Sequence, residues 1–366
     1  MSVPPERRER LSRAVAGEGL DQLIVADGHD LRWLTGFSGT SGLALCPADP
    51  AAPGLFVTDF RYVEQAGEQL GDGWTIERAR RDLLGAGLGE ATGGRELGRV
   101  GFDPGQVTVA QLADLTEALG TTAELVEAPG LASRLREVKD EEEVERIGAA
   151  TRLADEALES VLAAGLEGRT EREVAVALEL AIIGAGAESL SFPPIVAAGA
   201  HGALPHAEPR DVRITAGEMV TIDWGATLDG YCSDCTRTFA VGEVGSRERE
   251  VYGIVNDARA AGIAALAPGR TGREVDASAR EVIDAAGYGE HFGHGLGHGV
   301  GLDVHEEPRL SPRGSTHPLE EGTVVTVEPG VYLPGSFGVR IEDLVVVTGG
   351  EPLVLTSMDR ELVDAG

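Results

Sequence analysis

The sequence predicts two domains of different class. Residues 1–130 form a smaller α/β domain. Residues 131–366 form an α+β domain with mostly antiparallel sheet and two similar halves. Three observations predict this. Strand-like and helix-like runs alternate through the first domain, the pattern of an α/β layer. Pro129-Gly130 breaks that pattern ahead of a long helical run. The remainder contains an internal repeat, which marks a duplicated architecture: Gly168-Arg169-Thr170-Glu171-Arg172-Glu173-Val174 returns as Gly269-Arg270-Thr271-Gly272-Arg273-Glu274-Val275.

Taken in order, residues 6–18 read as an amphipathic helix and 22–26 (QLIVA) as a buried strand. Asp27-Gly28-His29-Asp30 reads as a turn. The glycine-rich run 35–42 follows, and it has no G-x-S-x-G frame for a nucleophile. Strands are expected at 55–58, 99–102 and 122–126, and helices at 62–70 and 107–119. The segment 84–94 reads as a surface loop. It lacks G-x-G-x-x-G, so no dinucleotide site is expected. Residues 131–164 read as one helix. Asp140 to Glu143 sit in an early turn, where acids suit the helix dipole, and Gly165 is the stop.

In the second domain each copy of the repeat carries Thr-x-x-Glu, a capping box that opens a helix. The helical pattern then runs through Ala185 in one copy and Ala286 in the other. Downstream, VTIDWGATLDG from Val220 aligns with VTVEPGVYLPG from Val325, which places Asp223 against Glu328. A second acid follows each on a strand-like segment: Asp234 in YCSDCTRTFAV and Glu342 in GVRIEDLVVV. Two halves related by a pseudo-twofold axis would bring these four carboxylates together.

Composition narrows the function. The chain of 366 residues has a net charge of -30, and Lys139 is its single lysine. That balance repels nucleic-acid phosphates. The sequence has no run of about 18 apolar residues, so no membrane span is expected. The polar N-terminal run MSVPPERRERLSRAV has no apolar signal core, so a cytoplasmic location is expected. The three cysteines, Cys46, Cys232 and Cys235, are an odd number and fit a reducing compartment. Cys232-Ser233-Asp234-Cys235 is a lone CxxC, too few ligands for a structural zinc. Two small buried residues beside a strand are the expectation.

Acids inside apolar strands are costly to bury unpaired. They either form structural ion pairs with Arg237 and Arg340 or hold metal. The stretch His294-Gly295-Leu296-Gly297-His298-Gly299-Val300-Gly301-Leu302-Asp303-Val304-His305-Glu306 sets three histidines among glycines. Its glycines disfavour a helix, each by roughly 1 kcal/mol. An extended or looped segment bringing imidazoles to a cleft is expected instead. Four carboxylates and one imidazole suit two divalent ions about 3.5 Å apart that activate a shared water. Oxygen-dominated ligation favours manganese, with cobalt or zinc as alternatives.

VTIDWGA, YCSDCTRTF, HGLGHGVGLDVHE, TVEPGVY and GVRIEDL resemble, in order and approximate spacing, the five signature segments of the pita-bread metallopeptidases. That group holds aminopeptidase P, prolidase and methionine aminopeptidase. LRWLTGFSGTSG and FVTDFRYVEQA are similar to the N-terminal domain of aminopeptidase P, prolidase and creatinase, so the resemblance covers essentially the whole chain. It implies a pita-bread C-terminal domain behind a creatinase-like N-terminal domain. The implied metal ligands are Asp223, Asp234, His298, Glu328 and Glu342, with Glu328 also the base. His305 matches a histidine that contacts the substrate carbonyl, and His206 one that approaches the scissile amide. His294 matches a prolyl-pocket histidine, and Arg340 an arginine of the same enzymes.

The implied activity is release of the N-terminal residue from peptides with proline second, as in Xaa-Pro aminopeptidase. Prolidase, which cuts dipeptides, is the alternative. A metal-free creatinase-like hydrolase or a non-catalytic module would be expected to have lost ligands, and all five positions are filled. Dimers are common among similar proteins, so a homodimer is expected. Arg237 is expected to neutralise the acids, and Thr236 to hydrogen-bond a ligand. The glycines around His298 are expected to mark backbone lying close to bound peptide.

Overall fold

The computed structural model describes residues 5–314 and 316–366, so residues 1–4 of the polar N-terminal run lie outside it. The chain divides into two compact units, Met1–Arg136 and Glu137–Gly366.

The first unit is built on a six-stranded sheet. Its order is Trp74–Arg78, Gly54–Thr58, Gly42–Pro47, Gln22–Val25, Gly98–Phe102, Ala123–Glu127. The central pairs are antiparallel and the flanking pairs parallel. The core lies against this sheet, where Leu43, Val57, Val100 and Leu115 are fully buried.

Three expectations need correction here. Residues 27–30 are not a free turn. Asp27 accepts the amides of His29 (2.9 Å) and Asp30 (3.0 Å) and caps the helix Gly28–Thr35. An Asp-Gly pair suits a helix start as well as a turn, and burial of Leu31, Trp33 and Leu34 decides for the helix. The glycine-rich 84–94 segment is largely helical, through Leu83–Gly87 and Leu88–Thr92. Asp82 caps it, and Leu88 is fully buried in the core, which outweighs the poor propensity of glycine. Finally, 131–164 is not one helix. Gly130 turns with φ 64, a short 3-10 turn Ser133–Arg136 follows, and buried Arg136 pairs with Asp30. Residues 131–136 therefore stay with the first unit. The long helix starts only at Glu141, where Asp140 and Glu143 form a capping box.

The second unit shows the duplication. Its first half has helices Glu141–Leu162 and Glu171–Gly184, then the antiparallel strands Ile195–Ala198, Met219–Trp224 and Cys235–Ala240. The second half has helices Ser246–Ala265 and Gly272–Ala285, then Gly297–Gly299, Val324–Val327 and Asp343–Val346 in an antiparallel sheet. Glu306–Leu310 and Leu353–Val354 extend that sheet at its edges. The capping boxes at Thr170 and Thr271 both form. Each half has its own apolar core: Leu158, Leu178, Ile222 and Trp224 in one, Val255, Ile283, Leu296 and Val327 in the other.

A small hairpin interrupts each sheet between its two acids. In the first half Ala226–Leu228 pairs with Tyr231–Cys232 around Asp229-Gly230. Both turn residues have positive φ (50 and 83), as a type I′ turn requires. In the second half Gly330–Leu333 pairs with Phe337–Arg340. All three cysteines are buried and free, as the plain reading of the lone CxxC expected. Among the described residues no helix is long and apolar enough to cross a membrane.

Candidate active site

The four acids come from matching places in the two halves. Asp223 lies near the end of Met219–Trp224, and Glu328 directly follows Val324–Val327. Asp234 directly precedes Cys235–Ala240, and Glu342 directly precedes Asp343–Val346. The Glu342 amide donates to Thr236 O at 3.0 Å, which joins the two sheets at the acids themselves.

His298 sits in the middle of Gly297–Gly299, and its amide donates to Thr326 Oγ1 at 3.0 Å. The glycines beside it are demanded by strand packing, and Gly297 also lines the cavity at the site. A Cβ on Gly297 would lie 2.0 Å from Thr326 O, and one on Gly299 2.2 Å from Glu307 O. No larger residue fits between these strands.

His298 Nδ1 lies 3.0 Å from Gly299 O, so that nitrogen carries the proton and Nε2 faces the acids. Nε2 is 3.4 Å from Glu328 Oε1 and 3.6 Å from Asp234 Oδ2. Ligand atoms of Asp234, His298 and Glu342 all lie within 4.8 Å of one another, and all three residues are buried. Thr236 Oγ1 donates to Glu342 Oε2 at 2.6 Å, and Thr326 Oγ1 to Glu328 Oε1 at 3.3 Å.

Ion pairing does not account for these acids. Arg340 donates to Asp223 Oδ2 at 2.6 Å. Arg237 does not neutralise the site as expected. Its Nη2 donates to Asp343 Oδ1 at 2.8 Å, and its other donors go mainly to main-chain carbonyls, that of Glu342 among them. Asp343 follows Glu342 on the strand and so points to the opposite face. Among the described residues Arg340 is the one guanidinium hydrogen-bonded to any of the four carboxylates.

The electrostatics record the deficit. Burial, then the charge of Glu342, pushes Asp234 well above the usual carboxylate range. Burial, then the charge of Glu328, does the same to Glu342. Burial raises Asp223 against the pull of Arg340. Glu328 is pushed up to about 8, chiefly by burial, with Arg340 opposing and Asp223 adding. Burial holds His298 down at about 3, so the imidazole is neutral and free to act as a ligand. Asp223 Oδ1 is buried without a hydrogen-bond partner. An acceptor-rich, cation-poor cluster of this kind fits divalent cations.

The cluster lies at a cavity of about 580 Å³. His206, His294, His305 and Arg340 all line it, so every site residue expected from the sequence lies at this one cavity. The His305 ring stands edge-on to His298, with centroids 4.5 Å apart. His294 Nδ1 lies 2.7 Å from Gly295 O, and its Nε2 lies 2.9 Å from Tyr332 OH. Burial holds His294 down at about 4. His206 is exposed on the cavity wall.

Sequence reasoning missed several lining residues, Tyr332 and Arg309 among them. Tyr332 receives Arg340 Nη1 at 3.0 Å as well as meeting His294. Its signal was present in TVEPGVY, where a polar-tipped aromatic stands beside an acid. Arg309 follows the HEEP run and sits half-exposed at the cavity, with Glu307 Oε1 3.8 Å away.

A site of buried carboxylates and one imidazole, joined across two duplicated antiparallel sheets, defines a metallohydrolase centre. Residues 145–349 match metallopeptidase family M24, and residues 7–138 match the creatinase/prolidase N-terminal domain. The chain belongs to metallopeptidase family M24, with a creatinase-type N-terminal domain ahead of a pita-bread domain. The uncharacterized peptidase YqhT of Bacillus subtilis (strain 168) is 40% identical over 357 residues, spanning 97% of this chain and 99% of that one. The solved structure of an Xaa-Pro dipeptidase from Bacillus anthracis matches with TM-score 0.92 at 38% identity, over 98% of this chain and 99% of that one. An X-Pro aminopeptidase from Thermotoga maritima MSB8 matches with TM-score 0.87 at 32% identity, over 96% and 99%.

Proposed function

We propose that this metallopeptidase hydrolyses the bond before a proline in the second position of a peptide. The observation that carries this reading is the convergence of Asp223, Asp234, His298, Glu328 and Glu342 at a cavity walled by His206, His294, His305 and Tyr332. The five cluster residues would hold two divalent cations, manganese being best suited to four carboxylates and one imidazole. Such cations supply Lewis acidity that polarises a carbonyl and acidifies water.

The chain's own groups supply the rest. Glu328 takes up the proton released as water attacks the carbonyl. Thr326 fixes its orientation by donating to Oε1 at 3.3 Å. Arg340 orients Asp223 and, through Tyr332, the His294 ring. His305 meets the substrate carbonyl and His206 the scissile amide. Neutral His294, together with Phe192, Pro193 and Pro194, offers a wall suited to a prolyl ring. Proline lacks an N–H and fixes φ, so a shaped pocket recognises it better than hydrogen bonds do.

Two lengths of substrate fit this chemistry. The resemblance to aminopeptidase P favours longer peptides. Arg309 favours a dipeptide, since a half-exposed guanidinium at the cavity suits a substrate carboxylate. The same reading includes a homodimer, drawn from the family resemblance, and a cytoplasmic location, which three free thiols suit. One experiment tests the activity. The chelated protein is reloaded with manganese and offered an Xaa-Pro dipeptide and an Xaa-Pro-Xaa peptide. Cleavage of both identifies an aminopeptidase, and cleavage of the dipeptide alone identifies a prolidase. Cleavage of neither with any divalent metal removes the proposal.

A further inference from the structure

The segment that carries His206 is gripped from outside the cavity by one buried carboxylate. Glu171 is the first residue of the helix Glu171–Gly184. An acid there ordinarily faces solvent and serves the helix dipole. Glu171 instead turns inward and is 0% exposed. Its Oε1 accepts the Ala198 amide at 3.0 Å and its Oε2 the Arg210 amide at 2.9 Å. The Arg210 side chain adds a bidentate pair, Nε to Oε2 at 3.0 Å and Nη2 to Oε1 at 2.9 Å. His201 Nδ1 lies 3.0 Å from both oxygens.

These partners are not scattered. Ala198 and Arg210 are the two ends of the segment whose residues 205–209 line the cavity and present His206. Both ends of the segment therefore close on a single side chain. A bidentate, charge-assisted contact is the geometry that fixes orientation as well as distance. An exposed histidine at the tip of an irregular segment depends on such a closure, because misplacement of about 1 Å is costly to a reaction. Glu171 does not line the cavity and touches none of the five cluster residues, so its effect on the reaction passes through the segment it holds.

We infer that Glu171 is a positioning residue for His206: it clasps residues 198–210 into one shape and so sets where the imidazole meets the substrate. This rests on the proposed role of His206, and the test separates the two. In the manganese-loaded enzyme, Glu171→Gln should lower kcat on an Xaa-Pro peptide roughly 10- to 100-fold, with KM little changed. In a His206→Ala background the same substitution should lower kcat less than about twofold, since residues acting as one unit are not additive. Equal losses in both backgrounds overturn the inference and leave Glu171 a structural residue.

Amide hydrogen exchange gives a reading that needs no activity. Exchange across 198–210 should quicken in Glu171→Gln while that of Met219–Trp224 holds. Unchanged exchange across 198–210 overturns the clasp. If His206→Ala cleaves as fast as the native enzyme, the role of His206 falls, and exchange alone decides the clasp. Should Glu171→Gln fail to fold, Arg210→Gln replaces it in both measurements, because the Arg210 side chain is 45% exposed and its amide bond to Glu171 survives.

Discussion

The two halves of the second unit offer the cavity matching acids but unlike histidines. Asp223 and Glu328 leave the same strand of each sheet, and Asp234 and Glu342 enter the next. The histidines do not repeat. In the first half His206 is exposed on an irregular segment held at both ends by Glu171. In the second half His298 is buried on a strand and His294 is partly buried beside it. That segment is held by the pair Asp276–Arg280 on the corresponding helix. Asp276 accepts the Leu296 amide at 3.0 Å, while Arg280 donates to Phe292 O at 2.9 Å and His294 O at 2.8 Å.

The duplication thus preserves what a shared ion centre needs from both sides and lets the rest diverge. Each half also solves the same mechanical problem, a histidine on irregular backbone, with a buried acid and an arginine. The acids sit at different positions on the two helices, and the arginine is on the held segment in one half (Arg210) and on the helix in the other (Arg280).

The comparison breaks most sharply at the acids. Glu328→Gln and its counterpart Asp223→Asn should each lower kcat by roughly 10⁴-fold while circular dichroism stays native, because each removes a cluster charge from one half. Near-native turnover in either variant would show that its half does not serve the centre.

Buried acids away from the cavity differ between the halves in the opposite way. Asp343, in the second, is surrounded by Arg237, Arg259 and Arg360. Although burial alone would raise it, these three cations hold it down at about 2. Asp155, in the first, has hydrogen bonds from Ser357 at 2.7 and 2.8 Å, and its Oδ1 is unpartnered. Burial raises Asp155 above the usual carboxylate value. Asp343→Asn should therefore cost about 3 kcal/mol in urea unfolding, by leaving buried guanidinium charge unpaired. Asp155→Asn should be near neutral. The folded value of Asp343 lies below the ordinary 3.8, so its contribution is complete above that pH and is lost as pH falls through about 2. Equal costs for the two substitutions would remove the contrast.

Metal tests whether the halves are joined by a bound charge. Manganese at a hundred times its Kd should stabilise the chelated protein by about 2.7 kcal/mol, read as a rise in Tm. Asp234→Asn should abolish the rise even though it relieves repulsion with Glu342 in the metal-free state. A full metal-dependent shift in that variant would exclude Asp234 from the centre.

Much of this centre was legible in the sequence because its residues carry their own signals. A repeat places two acids on strands, and the capping boxes at Thr170 and Thr271 fix the helices before them. Partners set by packing were not legible. Arg237 lies three residues from Asp234 in the sequence, yet its register opposite Ile222 aims it at Asp343. The glycines beside His298 looked like approach to a ligand, and only the strand spacing shows that Thr326 O and Glu307 O demand them as well. The helix at 28–35 was hidden because Asp-Gly marks a turn and a helix cap alike. The place of Glu171 between the capping-box residues Thr170 and Glu173 hid its inward turn, since nothing local says which way an N-terminal glutamate points.

The smallest expected effect lies at His294, and it sharpens the contrast with His206. His294→Ala removes one ring from the cavity wall but leaves Tyr332 OH bonded to Arg340 at 3.0 Å, so the fold should hold. Loss of one wall contact corresponds to about a tenfold rise in KM for prolyl substrates, with kcat nearly unchanged. Burial keeps the His294 imidazole neutral, with its pKa at about 4. The rise in KM should therefore be the same at pH 6 and pH 8, measured with one peptide in one buffer series. His206 stands exposed, and its loss should fall on kcat instead. A KM effect at His294 that changes between those two pH values would mean that the ring gains a proton when substrate binds. The division between a neutral wall in one half and a reacting imidazole in the other would then fail.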